Sequence, residues 1–140
     1  MIFVKQEGLF CGPSLSMKNI IKIEEAAITA ASIYFLSKYN LGLPVWAWAL
    51  LFFSPDIFML GYLVNTRVGA YAYNLVHHRG LALAIVAIGL MTASNVVVAT
   101  GILLFAHSSF DRMMGYGLKY NDDFKHTHLG WMVKEKVQAL

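Results

Sequence analysis

The chain has 140 residues, 58% of them hydrophobic and only 14% charged, with a net charge of +3 and a mean hydropathy of +0.57. Soluble domains carry about 25% charged residues, so this composition argues against a water-soluble domain, and the length suits a single one. The small basic excess is not interleaved with aromatics as in a nucleic-acid surface, so no nucleic-acid partner is expected, and the lone Cys11 excludes both an internal disulfide and a cysteine metal motif.

In chain order, the opening "MIFVKQEGLFCGPSLS" has one lysine, the acidic Glu7 and no sustained apolar core. It does not read as a signal peptide, and residues 1–16 are expected to be a cytoplasmic segment. Crossing a bilayer takes about 20 mostly apolar residues. Four stretches come close: 17–38, 44–64, 67–91 and 95–118. The connections "YNLGL", "NT" and "TAS" are short, and short loops make antiparallel neighbours. The expected fold is all-α, a four-transmembrane-helix up-down bundle over residues 17–118, followed by a cytoplasmic tail over 119–140.

Basic residues set the orientation. Lys5, Lys18 and Lys22 precede or begin the first span. Arg67 lies between the second and third, and Arg112, Lys119, Lys125, Lys134 and Lys136 lie at or after the end of the fourth. All fall on one side, against Lys38 on the other, which places both termini in the cytoplasm. Trp46 and Trp48 then sit at the outer interface and Trp131 near the inner one. Arg79 is interior to the third span, where it snorkels or the helix breaks at Gly80.

Depth follows from a rise of about 1.5 Å per residue. Glu24 lies roughly 10 Å into the first span, Asp56 roughly 12 Å from the inner end of the second, Asn74 and His77 roughly 10–16 Å into the third, and Asp111 and His107 roughly 10 and 16 Å from the inner end of the fourth. Four helices thus bring ionisable or amide groups to one level. An Asp facing lipid near the bilayer centre costs about 2.5–3.5 kcal/mol, so these groups are expected to face one another. His107 and Asp111 share a face as i and i+4, as Asn74 does with His77 or His78. Pro55 removes a backbone hydrogen bond beside Asp56. The candidate catalytic set is Glu24, Asp56, Asn74, His77, His107 and Asp111. Arg67, Arg112, Lys119, Tyr120 and Asn65 are expected to line an inner mouth that receives an anionic group. A buried network that only holds the helices together is the competing reading. His126 and His128 in "FKHTHLG" have the spacing of a metal pair, but they follow a polar, non-helical stretch and are expected to be structural.

The strings "IKIEEAA", "FFSPDIFMLGYLVNTRVGAYAYNLVHH" and "LLFAHSSFDRMMGYGLKYNDDFKHTHLG" resemble a family of small bacterial integral membrane proteins of unknown function. That family has an acid after Pro, an Asn-x-Arg-Val-Gly-Ala turn, a Tyr-Asn-x-x-His segment and a closing Ala-His-x-x-x-Asp-Arg-x-x-Gly-Tyr-Gly-Leu-Lys-Tyr block. The resemblance covers roughly residues 21 to 130 and implies an inner-membrane location, with no activity attached. The chain departs from the pattern at Glu25, where a small residue is usual, and at His78 and Arg79. A fainter likeness is to membrane-bound metal-dependent hydrolases, through "SPD", "HHRG" and "HSSFD" in that order, although the Thr-His half of their middle motif is missing here.

Three functions fit this sequence. The first is an enzyme acting on a lipophilic small molecule. It would use Asp56, His77, His107 and Asp111 as ligands to Zn²⁺ or another divalent metal for hydrolysis, or acid–base chemistry without metal for cyclisation, isomerisation or epoxide opening. The second is a proton- or ion-coupled transporter, which with so few spans needs at least a homodimer. The third is an accessory subunit of a membrane complex.

Overall fold

The computed structural model describes residues 15–132. The N-terminal stretch, Cys11, Lys5, Lys134 and Lys136 lie outside the described residues. Five α-helices follow one another: α1 Leu15–Lys38, α2 Val45–Phe53, α3 Thr66–Val76, α4 Arg79–Met91 and α5 Asn95–Met114. A 3₁₀ helix, Ser54–Leu63, continues α2, and two short strands, β1 His126–Thr127 and β2 Gly130–Trp131, come last among the described residues.

Each boundary has a local cause. Pro55 has no N–H and crowds the preceding turn, so the α-helical ladder of α2 stops there. The chain tightens into a 3₁₀ helix of 10 residues, where runs beyond 3–4 are uncommon. Asn65 caps α3, its Oδ1 accepting from Val68 N–H at 2.8 Å. His78 caps α4, its Nδ1 accepting from Leu81 N–H at 3.1 Å. The expected continuous span over 67–91 is therefore two helices bent by 43°, and the break falls at His77 and His78 rather than at Gly80. α5 ends four residues before the expected 118 because Gly115 takes the left-handed conformation, with φ 94°, that caps helices and that glycine adopts without a Cβ penalty.

Two helical stretches are long and apolar enough to cross a membrane, Val45–Leu63 and Asn95–Met114, with a third if the bent pair α3–α4 is one span. The first expected span, 17–38, which is α1, is not among them. Lys18, Lys22, Glu24, Glu25 and Lys38 interrupt its apolar run.

α5 is the spine, with α1 and α4 packed along it and α3 packed on the 3₁₀ helix. Small residues permit this closeness, as at helix contacts in lipid. A Cβ on Gly101 would lie 2.7 Å from Val86 N and 2.8 Å from Ala82 O, and one on Gly89 2.5 Å from Val98 N. The interior is unusually polar: Glu25, Thr29, Ser32, His77, His107, Ser108, Ser109, Lys119 and Thr127 are buried, while Val45, Trp46, Leu63 and Met91 are exposed. Large apolar groups outside and small or polar groups inside suit lipid, where the hydrophobic effect no longer drives helices together.

Residues 119–132, expected as a tail, fold back onto the helices. Asn74 Nδ2 donates to Lys119 O at 2.7 Å, and Lys119 N–H returns a bond to Asn74 Oδ1 at 2.7 Å. Lys119 and Thr127 form an antiparallel bridge beside the β1–β2 pair.

Candidate metal centre

Two helices supply most of the centre. Tyr73 on α3 and His77, the residue that caps its C-terminus, are i and i+4, and their rings stack with centroids 3.8 Å apart. On α5, His107 and Asp111 have the same spacing. The 3₁₀ helix brings in Asp56. His77 Nε2 lies 3.1 Å from His107 Nε2 and 3.2 Å from Asp111 Oδ2. Asp56 Oδ1 is 3.3 Å from His107 Nε2 and 3.8 Å from His77 Nε2. One ligand atom from each of Asp56, His77, His107 and Asp111 lies within 4.8 Å of all the others.

The hydrogen bonds fix what these atoms offer. Tyr73 O is 2.8 Å from His77 Nδ1, and a carbonyl only accepts, so Nδ1 carries the proton and a neutral ring turns the lone pair of Nε2 toward the cluster. Ligating histidines are commonly oriented in this way. The Tyr73 hydroxyl donates to Asp111 Oδ2 at 2.6 Å, so one residue orients two members. His107 packs edge-on against Phe52, with centroids 5.4 Å apart, and its Nδ1 is buried without a hydrogen-bond partner among the described residues. The side chains of His77, His107 and Asp111 are 3%, 1% and 13% exposed, and that of Asp56 is 41% exposed. The cluster is thus closed on three sides and open at Asp56.

A tetrahedral Zn²⁺ with bonds of about 2.0–2.1 Å spaces its ligand atoms about 3.3–3.4 Å apart. The Nε2–Nε2, Nε2–Asp111 Oδ2 and Nε2–Asp56 separations above bracket that spacing. Two nitrogens and two carboxylates form a donor set for zinc or a similar divalent ion.

The other expected site residues lie elsewhere. Glu24 is exposed, and its neighbour Glu25 turns inward instead. Glu25 pairs with Arg79, which also donates to Ser109 Oγ at 3.0 Å. Asn74 spends its amide on the Lys119 backbone. Of the expected mouth, Asn65 is the α3 cap and Arg67 is exposed. Tyr120 is exposed against the His126 ring, with centroids 4.4 Å apart. Lys119 is buried, its ammonium donating to Phe124 O at 3.0 Å and lying 3.6 Å from the Phe124 ring centroid. Burial holds that ammonium below the usual lysine range, partly offset by Asp111. Arg112 is partly buried. These residues do not form one mouth. Tyr73, Glu25 and Arg79 were not among the expected site residues; Tyr73 is marked only by standing one helical turn before His77.

Fold and centre together define a helical protein with membrane-length apolar helices around a buried His–Asp cluster. The chain belongs to the family described as "Domain of unknown function (DUF4260)", whose model matches residues 18–132. No curated protein and no solved structure matches it.

Proposed function

We propose that this protein is an integral membrane enzyme that holds one divalent metal ion at Asp56, His77, His107 and Asp111 and hydrolyses a lipophilic substrate. The observation that carries the reading is the convergence of four ligand atoms within 4.8 Å of one another, at the junction of α3, α5 and the 3₁₀ helix. A divalent ion in such a site acts as a Lewis acid and lowers the pKa of water. The residues divide the remaining work. His77, His107 and Asp111 are the enclosed holders, and Tyr73 orients His77 through its carbonyl and Asp111 through its hydroxyl. Asp56 stands at the opening, as fourth ligand or as the base that takes a proton from water. Phe52 and Phe110, whose rings are in contact, give the site an apolar wall suited to a lipophilic molecule.

In this reading α1 is the fourth span. Its 24 residues pack along α5, the Glu25–Arg79 pair neutralises its buried acid, and Lys18 and Lys22 lie at the cytoplasmic interface. Both termini are cytoplasmic, and the membrane is a bacterial inner membrane. The metal-free acid–base alternative rests on the short Tyr73–Asp111 bond and on a proton shared between the two imidazoles. Metal analysis of the gently purified chain separates the two: bound ion that disappears in His107→Ala supports the metal enzyme, and an active metal-free protein refutes it.

A further inference from the structure

A second site lies at the C-terminal end of α5, where the first turns of α1 meet Gly115 and the β1–β2 hairpin. The cavity there has a volume of about 380 Å³. Lys18, Lys22, Arg112 and Lys125 line it, and among the described residues no acidic side chain does. Among the described residues none of these four cations forms an ion pair. Four like charges gathered round one cavity repel unless an anion joins them. Tyr116 and Trp131 also line it, 42% and 52% exposed, and such rings favour the headgroup level of a membrane.

We infer that this cavity binds the phosphate of an anionic phospholipid headgroup. The guanidinium of Arg112 can accept a phosphate through two parallel N–H donors, while the lysines act as point charges. Basic pockets at the cytoplasmic end of membrane helices suit lipid headgroups, since that leaflet is the anionic one. Ile20 and Ile23 on the same turns of α1 are 57% and 72% exposed, giving the acyl chains of the bound lipid an apolar surface to follow. A free phosphate would have no use for that surface. The site is distinct from the metal centre: Arg112 projects about 100° around the helix from Asp111, and none of the four candidate metal ligands lines the cavity. The inference does not depend on the metal reading.

The test uses the full chain in a mild detergent, titrated with phosphatidylglycerol, phosphatidylcholine or inorganic phosphate. Melting temperature and native mass spectrometry report binding. Phosphatidylglycerol should raise the melting temperature and remain as a bound adduct. Lys22→Gln with Lys125→Gln, both at exposed positions, should weaken it about 30-fold, from about fivefold per basic residue. Arg112→Gln should weaken it as well, whereas Lys38→Gln at the other end of α1 should not. Equal stabilisation by phosphatidylcholine would overturn the inference, as would wild-type binding by the double variant. A full shift with inorganic phosphate alone would show a free-phosphate site instead.

Discussion

The Nε2 atoms of His77 and His107 face each other at 3.1 Å. Two neutral imidazoles cannot both aim lone pairs at one point without repulsion. Either a proton lies between them or both lone pairs hold a cation. The Tyr73 carbonyl fixes the proton of His77 on Nδ1 and two carboxylates lie beside the pair; in the proposed metal centre both lone pairs would hold the divalent ion, and in the metal-free alternative His107 Nε2–H would donate to His77 Nε2.

If Tyr73 orients the ligands, Tyr73→Phe should leave the helices intact and loosen the centre. The lost bond to Asp111 should lower metal affinity about 10–100-fold, the usual cost of removing such a supporting partner. Competition with a chromophoric chelator measures it. Unchanged affinity would mean that Asp111 needs no orientation from Tyr73.

The pair Glu25–Arg79 predicts a stability effect separate from the centre. Arg79→Ala leaves Glu25, only 8% exposed, as a buried charge without its partner. Breaking a buried pair this way costs about 3–5 kcal/mol, which unfolding in a denaturing detergent should show. Arg79→Met combined with Glu25→Met should recover most of the loss. If Arg79→Ala costs nothing, the pair contributes nothing to the α1–α4–α5 junction.

Gly101 tests the close packing of α4 on α5. A Cβ there would meet Val86 Cγ2 at 2.6 Å and two backbone atoms within 2.8 Å. The backbone cannot yield as a side-chain tip can, so Gly101→Ala should destabilise by about 1–3 kcal/mol. Ala99→Gly, on the α1 side of α5, should leave the α4 contact unchanged, and cross-linking between α4 and α5 cysteine pairs would report the difference.

The folded-back hairpin should respond to acid. Leu118 N–H donates to His128 Nδ1 at 2.9 Å, which requires that nitrogen unprotonated. Partial burial, where the ring packs over Gly117, and then the nearby Arg112, hold His128 below its usual 6.5. The unfolded segment therefore binds the proton first as pH falls. The stability His128 contributes is fully present above about pH 6.5 and is lost as pH drops through the folded value. The protection factor of the Leu118 amide, its exchange rate divided out by the intrinsic rate at each pH, should fall below about pH 6.5 in the wild type, and His128→Ala should remove that dependence. The same fall in His128→Ala would assign it to another group.

What the sequence made legible was depth. Counting residues from the ends of apolar runs puts Asp56, His77, His107 and Asp111 at one level, and helical spacing puts His107 and Asp111 on one face. Phase on α1 was harder, because Glu24 and Glu25 are neighbours about 100° apart. Which one turns inward is decided by Arg79, 54 residues away, and no local pattern carries that information. The return of 119–132 rests on Asn74 holding the Lys119 backbone across 45 residues, and a polar sequence there reads equally well as a tail. Two of the four expected spans, or three with the bent pair, are long and apolar enough to cross a membrane, and α1 falls short of that measure because it keeps charges at positions that its packing against α5 and Arg79 makes tolerable.

The central claim is tested most directly by counting metal. The full chain, purified in mild detergent, incubated with Zn²⁺, Mn²⁺ or Co²⁺ and desalted, should retain about one ion per chain by elemental analysis, as the one four-ligand set among the described residues requires. His77→Ala and His107→Ala should lose that ion while keeping the wild-type helical circular dichroism. A folded wild-type chain that retains none of these ions, or histidine variants that retain as much as the wild type, would contradict the metal centre.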